Sequence, residues 1–92
     1  MIDVEYGETF IKDLKKLKST PYYQKIYALC FSEIPAIKSF PEIVGLKKME
    51  GYIDYYRIKK GDYRIGIRIT SHKIYFLRIL HRKEIYRYFP PK

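Results

Sequence analysis

Apolar and acidic residues trade places from Ile2 to Tyr6 (Ile2, Asp3, Val4, Glu5, Tyr6), the two-residue period of a half-buried strand. Gly7 ends it. The period then lengthens: Phe10, Leu14 and Leu17 return at helical spacing while Lys12, Lys15, Lys16 and Lys18 take the other face. This predicts an amphipathic helix of about three turns, with Glu8-Thr9 placed to cap its start. Ser19-Thr20-Pro21 reads as a stop and restart. A second helix follows that turns Tyr22, Ile26, Leu29, Cys30 and Ile34 inward. Pro35 ends or kinks it, and Pro41 and Gly45 mark a looser connection.

Beyond that connection the pattern changes to strands. Residues 52–59 are rich in Tyr and Ile, Lys60-Gly61 reads as a turn, and residues 62–70 alternate without a break. Thr70-Ser71-His72 turns again, and residues 73–80 form a third run. The expected sheet is a three-strand antiparallel meander. Residues 81–89 add a short terminal helix or an extended tail, stopped by Pro90-Pro91. The predicted fold class is α+β: an N-terminal strand and a two-helix hairpin packed on a twisted antiparallel sheet, with residues 1–92 as one domain. Ninety-two residues leave no room for two.

Composition excludes several classes. With 47% hydrophobic, 32% charged and 17% aromatic residues, the chain lies far from the corner where sequences stay disordered. No run approaches the roughly 20 apolar residues of a membrane span, and Asp3, Glu5 and Glu8 are wrong for a signal peptide, so a cytoplasmic location and no membrane partner are expected. One cysteine, Cys30, makes no intramolecular disulfide, and with His72 and His81 it builds no metal cluster; no cofactor is expected. Between Leu29 and Phe31 it reads as a core residue.

Charge is distributed unevenly. The net +9 lies entirely in residues 47–92, which carry thirteen Lys and Arg against four acids; residues 1–46 balance six Lys with six acids. All six arginines and seven of the eleven tyrosines are in that second half. A basic excess of this kind fits a polyanion-binding face, with nucleic acid as first candidate and an acidic protein as second. A solvated lysine-rich surface explains it less well, because Arg forks phosphates and Tyr stacks on bases.

Strand alternation localises the charge. A two-residue Lys60-Gly61 loop pairs position 57 with 64 and 55 with 66. Tyr63, Ile65, Ile67 and Ile69 then face the helices, while Arg64, Gly66 and Arg68 share the open face with Arg57 and Lys59. Arg78 joins them if Tyr75, Leu77 and Ile79 pack inward. Gly66 leaves room for Tyr55 or for a ligand. Like charges set opposite one another are destabilising, and a bound anion offsets that cost. If the chain turns helical near Arg82, Arg82 and Tyr86 lie four apart on one face over the sheet's end. His81 is the natural acid–base candidate there.

Three separated blocks occur in order: Lys47-Lys48-Met49-Glu50-Gly51-Tyr52, then Tyr56-Arg57-Ile58-Lys59-Lys60-Gly61-Asp62-Tyr63-Arg64-Ile65-Gly66, then Leu80-His81-Arg82-Lys83-Glu84-Ile85-Tyr86-Arg87. Together they resemble the RelE/ParE toxin superfamily, on its RelE side, over nearly the whole chain. The resemblance implies the toxin of a type II toxin–antitoxin pair and a small α+β domain. It also implies an endoribonuclease that enters the ribosomal A site and cuts mRNA without a metal. Implied partners are an antitoxin, mRNA and the ribosome, with DNA met only through the antitoxin.

Cleavage of this kind uses the 2′-OH against the adjacent phosphate, and needs a base, cations for the developing charge and an acid for the leaving oxygen. By the resemblance, Arg64 stabilises that charge, while Arg57 and Lys59 are the basic pair on the preceding strand. Arg57 grips phosphate but is no base, which leaves proton transfer to Lys59, His81 or Glu50. Arg82 is the strand-end cation and Tyr86 stacks on a base. Lys47, Lys48, Arg68 and Arg78 complete the RNA-binding expectation. Two alternatives stay open: a ParE-like gyrase poison without nuclease chemistry, and an inactive homologue kept as an antitoxin-binding corepressor.

Overall fold

The computed structural model describes residues 2–90. Strand β1 (Asp3–Tyr6) leads through Gly7 into helix α1 (Glu8–Lys16). Gly7 caps that helix through its backbone, Ile11 N donating to Gly7 O (3.1 Å), and no side chain caps it, contrary to the expectation for Glu8-Thr9. Glu8 in the first turn and Lys15 and Lys16 in the last suit the helix dipole instead. Helix α2 (Tyr23–Ala28) widens into a π-helical turn, Leu29–Glu33, and tightens to a 3₁₀ turn, Ile34–Ala36. Pro35 sits at the start of that tight turn, where its missing N–H costs nothing. A second 3₁₀ turn, Phe40–Glu42, carries a capping box between Ser39 and Glu42.

The sheet has five strands in the order β1-β5-β4-β3-β2. Strands β3 (Tyr55–Lys60), β4 (Tyr63–Ile69) and β5 (Lys73–His81) form the expected meander. Two edge strands enlarge it. β1 runs parallel to β5, and β2 (Leu46–Lys48), which lies in the stretch read as a loose connection, pairs antiparallel with β3. Three residues are too few for alternation to show.

One face of the sheet carries the main core. Ile58, Ile65, Ile67, Ile74, Phe76 and Ile79 pack there against Phe10, Leu14 and Leu17 of the first helical segment and Ile26, Cys30 and Ile34 of the second. Each fully buried Ile or Phe contributes about 1.5–3 kcal/mol. Tyr6 stacks on Phe31 and Phe76 (4.2 and 5.1 Å) and donates its hydroxyl to Cys30 O (2.7 Å), tying β1 to the π-helical turn. Among the described residues no helix is long and apolar enough to cross a membrane.

The opposite face is only half open. After β5, helix α3 (Ile85–Tyr88) brings the C-terminal segment back across the sheet, where Ile85, Phe89 and Met49 form a second cluster with Tyr55, Leu77 and Leu80. Phe89 lies on Gly66, where a Cβ would stand 2.8 Å from its ring carbons. The gap above Gly66, expected to admit Tyr55 or a ligand, holds the protein's own phenylalanine, with Tyr55 edge-on to it at 5.6 Å.

Candidate active site

The hairpin between β3 and β4 turns at Gly61-Asp62, one residue later than the Lys60-Gly61 loop expected from the sequence. Gly61 takes φ +58°, and the closing pair is Lys60 with Tyr63. Glycine at the first central position suits a type II′ turn and spares Lys60 a left-handed conformation. The partner of Arg57 is therefore Gly66 rather than Arg64, and Arg64 stands across from Lys59. A register change of two residues leaves every side chain on its expected face.

Rows across the sheet follow from this register. Lys47, Arg57, Gly66 and Arg78 form one; Lys59, Arg64 and Leu80 form the next; Tyr55, Arg68 and Tyr75 form a third. All belong to the face away from α1 and α2. Lys48 pairs with Tyr56 and takes the helix-side parity. It still borders a cleft of about 460 Å³ formed with Lys47, Met49, Glu50, Tyr52 and Tyr86, and walled by Phe89 and Pro90.

Strand β5 contains a feature that alternation does not reveal. Gly66 pairs with Arg78 but Ile67 pairs with Phe76, so Leu77 is an extra, unpaired residue: a β-bulge. Before it, Ile74 and Phe76 face the core; after it, Ile79 does. Tyr75 and Leu77 were expected to pack inward with Ile79. Instead, Tyr75 lies under the Arg68 guanidinium (5.9 Å) and Leu77 joins the Phe89 cluster.

The bulge also decides the placement of His81. It pairs with Tyr63, on the helix side, where the two rings meet edge-on at 5.7 Å. Its Nδ1 accepts from Lys83 N (3.2 Å). The register thus separates His81 from Arg64, whose partner is Leu80.

Arg78 is engaged elsewhere. Its Nε donates to Asp13 Oδ2 (2.8 Å), and the same oxygen accepts from Ile79 N (2.9 Å). Asp13, only 6% exposed, caps the edge of β5 just past the end of β1, so Arg78 ties α1 to the sheet, while its guanidinium also lies 5.8 Å from the Tyr88 ring of α3. Asp13 is a structural residue that periodicity alone does not single out. Its signal is an acidic residue three positions after Phe10, on the apolar stripe of α1. Arg68 lies 3.9 Å from Asp54 at the far end of β4.

The remaining cations converge. Burial lowers the Arg64 guanidinium from its ordinary value, and Arg57 and Arg82 push it the same way, while Tyr86 and Asp62 oppose them. It stays charged at neutral pH. Arg64 Nη1 donates to Gly61 O (2.9 Å) and Tyr63 O (3.0 Å), which holds the side chain along the hairpin. Arg82 precedes α3 in a turn rather than sharing a helix with Tyr86; its backbone N donates to Asp62 O (2.8 Å). Tyr86 is 66% exposed beside this group. Three guanidinium groups and an exposed aromatic ring near one another, with Lys59 across the ladder from Arg64, match the needs of a phosphate with an attached base.

Similarity to known proteins bears on this arrangement. A model of the family described as ParE toxin of type II toxin–antitoxin system, parDE, matches residues 4–86. Toxin RelE3 of Methanocaldococcus jannaschii is 42% identical over 88 residues, covering 95% of this chain and 98% of the relative. The structure of a RelB–RelE antitoxin–toxin complex from Methanococcus jannaschii matches with a TM-score of 0.73 at 41% identity, over 92% of this chain and 98% of that one. The toxin–antitoxin complex RelBE2 of Mycobacterium tuberculosis, at 23% identity and a TM-score of 0.69 over 88% of this chain and 98% of that one, shares the fold. The chain belongs to the ParE/RelE family of toxins of type II toxin–antitoxin systems and is a RelE-type toxin.

Proposed function

We propose that this toxin is a ribosome-dependent endoribonuclease that cleaves mRNA by attack of a 2′-OH on the adjacent phosphate. The observation that carries the reading is the gathering of Arg57, Arg64 and Arg82 with Tyr86 on the sheet face away from the helical hairpin. Arg57 and Arg82 hold the scissile phosphate, and Arg64, fixed by two carbonyls, meets the negative charge that grows on it in the transition state. Preorganised donors of this kind need no rearrangement during the reaction. Lys59, directly across from Arg64, is the group in this row able to exchange a proton, and takes over the role considered for His81. Tyr86 stacks on a base and orients the nucleotide. Glu50, Lys47 and Lys48 line the adjoining cleft that receives the neighbouring part of the strand.

An antitoxin is the expected protein partner, by similarity to the RelB–RelE complex. A gyrase-binding mode has one observation in its favour, the ParE description of the matching family model. Induced expression separates the two. The ribonuclease reading requires arrested translation with primer-extension stops inside translated codons. Filamentation with intact message would reject it.

A further inference from the structure

Two cations of the site hang from the same two-residue turn. Gly61 O accepts from Arg64 Nη1 (2.9 Å), and Asp62 O accepts from Arg82 N (2.8 Å). The Asp62 carboxylate reaches both ways: Oδ2 accepts from Tyr22 Oη (3.1 Å), and Oδ1 stands 3.9 Å from Arg82 Nε. Tyr22 also lies flush against the turn. A Cβ on Gly61 would come within 2.3 Å of Tyr22 Cε1, and the Tyr22 ring meets Tyr63 edge-on at 5.1 Å. The residue just before α2 therefore clamps the tip of the β3–β4 hairpin, and the tip carries Arg64 on one carbonyl and Arg82 on the next.

We propose that Tyr22 and Asp62 are positioning residues that set the spacing of Arg64 and Arg82 around one RNA phosphate. This rests on the ribonuclease reading above. An acid beside a phosphate site weakens anion binding, so Asp62 carries a cost in affinity that orientation offsets. Misplacing a reacting group by about 1 Å lowers a rate by about 100-fold.

That opposition gives a signature which a purely structural role lacks. Purified protein would be assayed on ribosomes programmed with an mRNA whose A-site codon is vacant. Asp62→Asn is expected to lower the maximal cleavage rate about 10-fold while the half-saturating ribosome concentration falls or stays level. Asp62→Glu recovers part of the rate. Tyr22→Phe, which keeps the ring and removes the hydroxyl, lowers the rate by about 3-fold at unchanged half-saturation.

In parallel, ¹⁵N relaxation of the arginine Nε–H groups is expected to show Arg82 becoming more mobile in Asp62→Asn. Unchanged rates and unchanged Arg82 mobility would overturn the proposal, as would a loss of rate that merely follows the unfolded fraction. A wild-type protein that leaves the message whole would instead reject the ribonuclease reading, and the relaxation measurement would still decide whether Asp62 holds Arg82.

Discussion

Lys59 and Arg64 stand directly opposite one another across β3 and β4, two cations on adjacent strands with no acid between them in the row. Such a pair is destabilising in the free protein and becomes favourable only with an anion present. Lys59→Met is therefore expected to leave stability unchanged or raise it by a few tenths of a kcal/mol, while cleavage falls by about 100-fold. Thermal denaturation and the ribosome assay measure the two effects, and a variant that keeps full activity would remove Lys59 from the chemistry.

Arg64→Ala is expected to cut the maximal cleavage rate by about 100- to 1000-fold, the cost of removing one preorganised donor to a developing charge. Its side chain points away from the main core, so circular dichroism should report native structure. Unaltered cleavage would place charge stabilisation elsewhere.

Gly66 and Phe89 form a size-matched pair. Gly66→Ala forces the ring to move and is expected to destabilise the fold by about 1–3 kcal/mol. In the Phe89→Ala background the same substitution should cost clearly less, because the obstructing ring is gone. Additive costs, measured by urea denaturation, would refute direct contact.

Asp13→Ala leaves Ile79 N without an acceptor and Arg78 without its partner. A loss of about 3 kcal/mol is expected, with a lower Tm and native-like strand content below it. Asp13→Asn should be milder, since the amide oxygen still accepts from Ile79 N.

Burial pushes the Cys30 thiol up from its ordinary value. A group that resists ionising in the folded state contributes stability below its unfolded pKa of about 8.5 and loses it as pH rises beyond that. Stability should decline through pH 9 to 11, more steeply than in Cys30→Ala, and a thiol reagent at pH 8 should label the native protein only at its rate of unfolding.

Much of this arrangement could be read from the chain. Strict alternation from Tyr63 to Ile69 assigns Arg64 and Arg68 to the face away from the helices, and a pairing register misplaced by two residues leaves that assignment intact. His81 is different. Its expected place beside the cations follows from its nearness in the chain to Arg82, yet a count that turns Ile79 inward turns His81 inward too; what the unpaired Leu77 reverses, in a segment whose composition gives no sign of it, is the face taken by Tyr75. Arg78 shows another gap: a strand position says which way a side chain leaves the backbone, but a long guanidinium then goes to the best acceptor in reach, here Asp13 from another element. The C-terminal cover over Gly66 was equally hidden, because a glycine among arginines reads as space for a ligand as readily as for a ring.

Leu77 makes β5 a strand with two phases. Upstream of it, even-numbered residues are dry; downstream, odd-numbered ones are. The chain between Ile79 and Arg82 therefore behaves like a reading frame: removing one residue there would turn every later side chain onto the opposite face and carry Arg82 away from Arg64. The hairpin turn before β5 tolerates a change of length far better than this strand does.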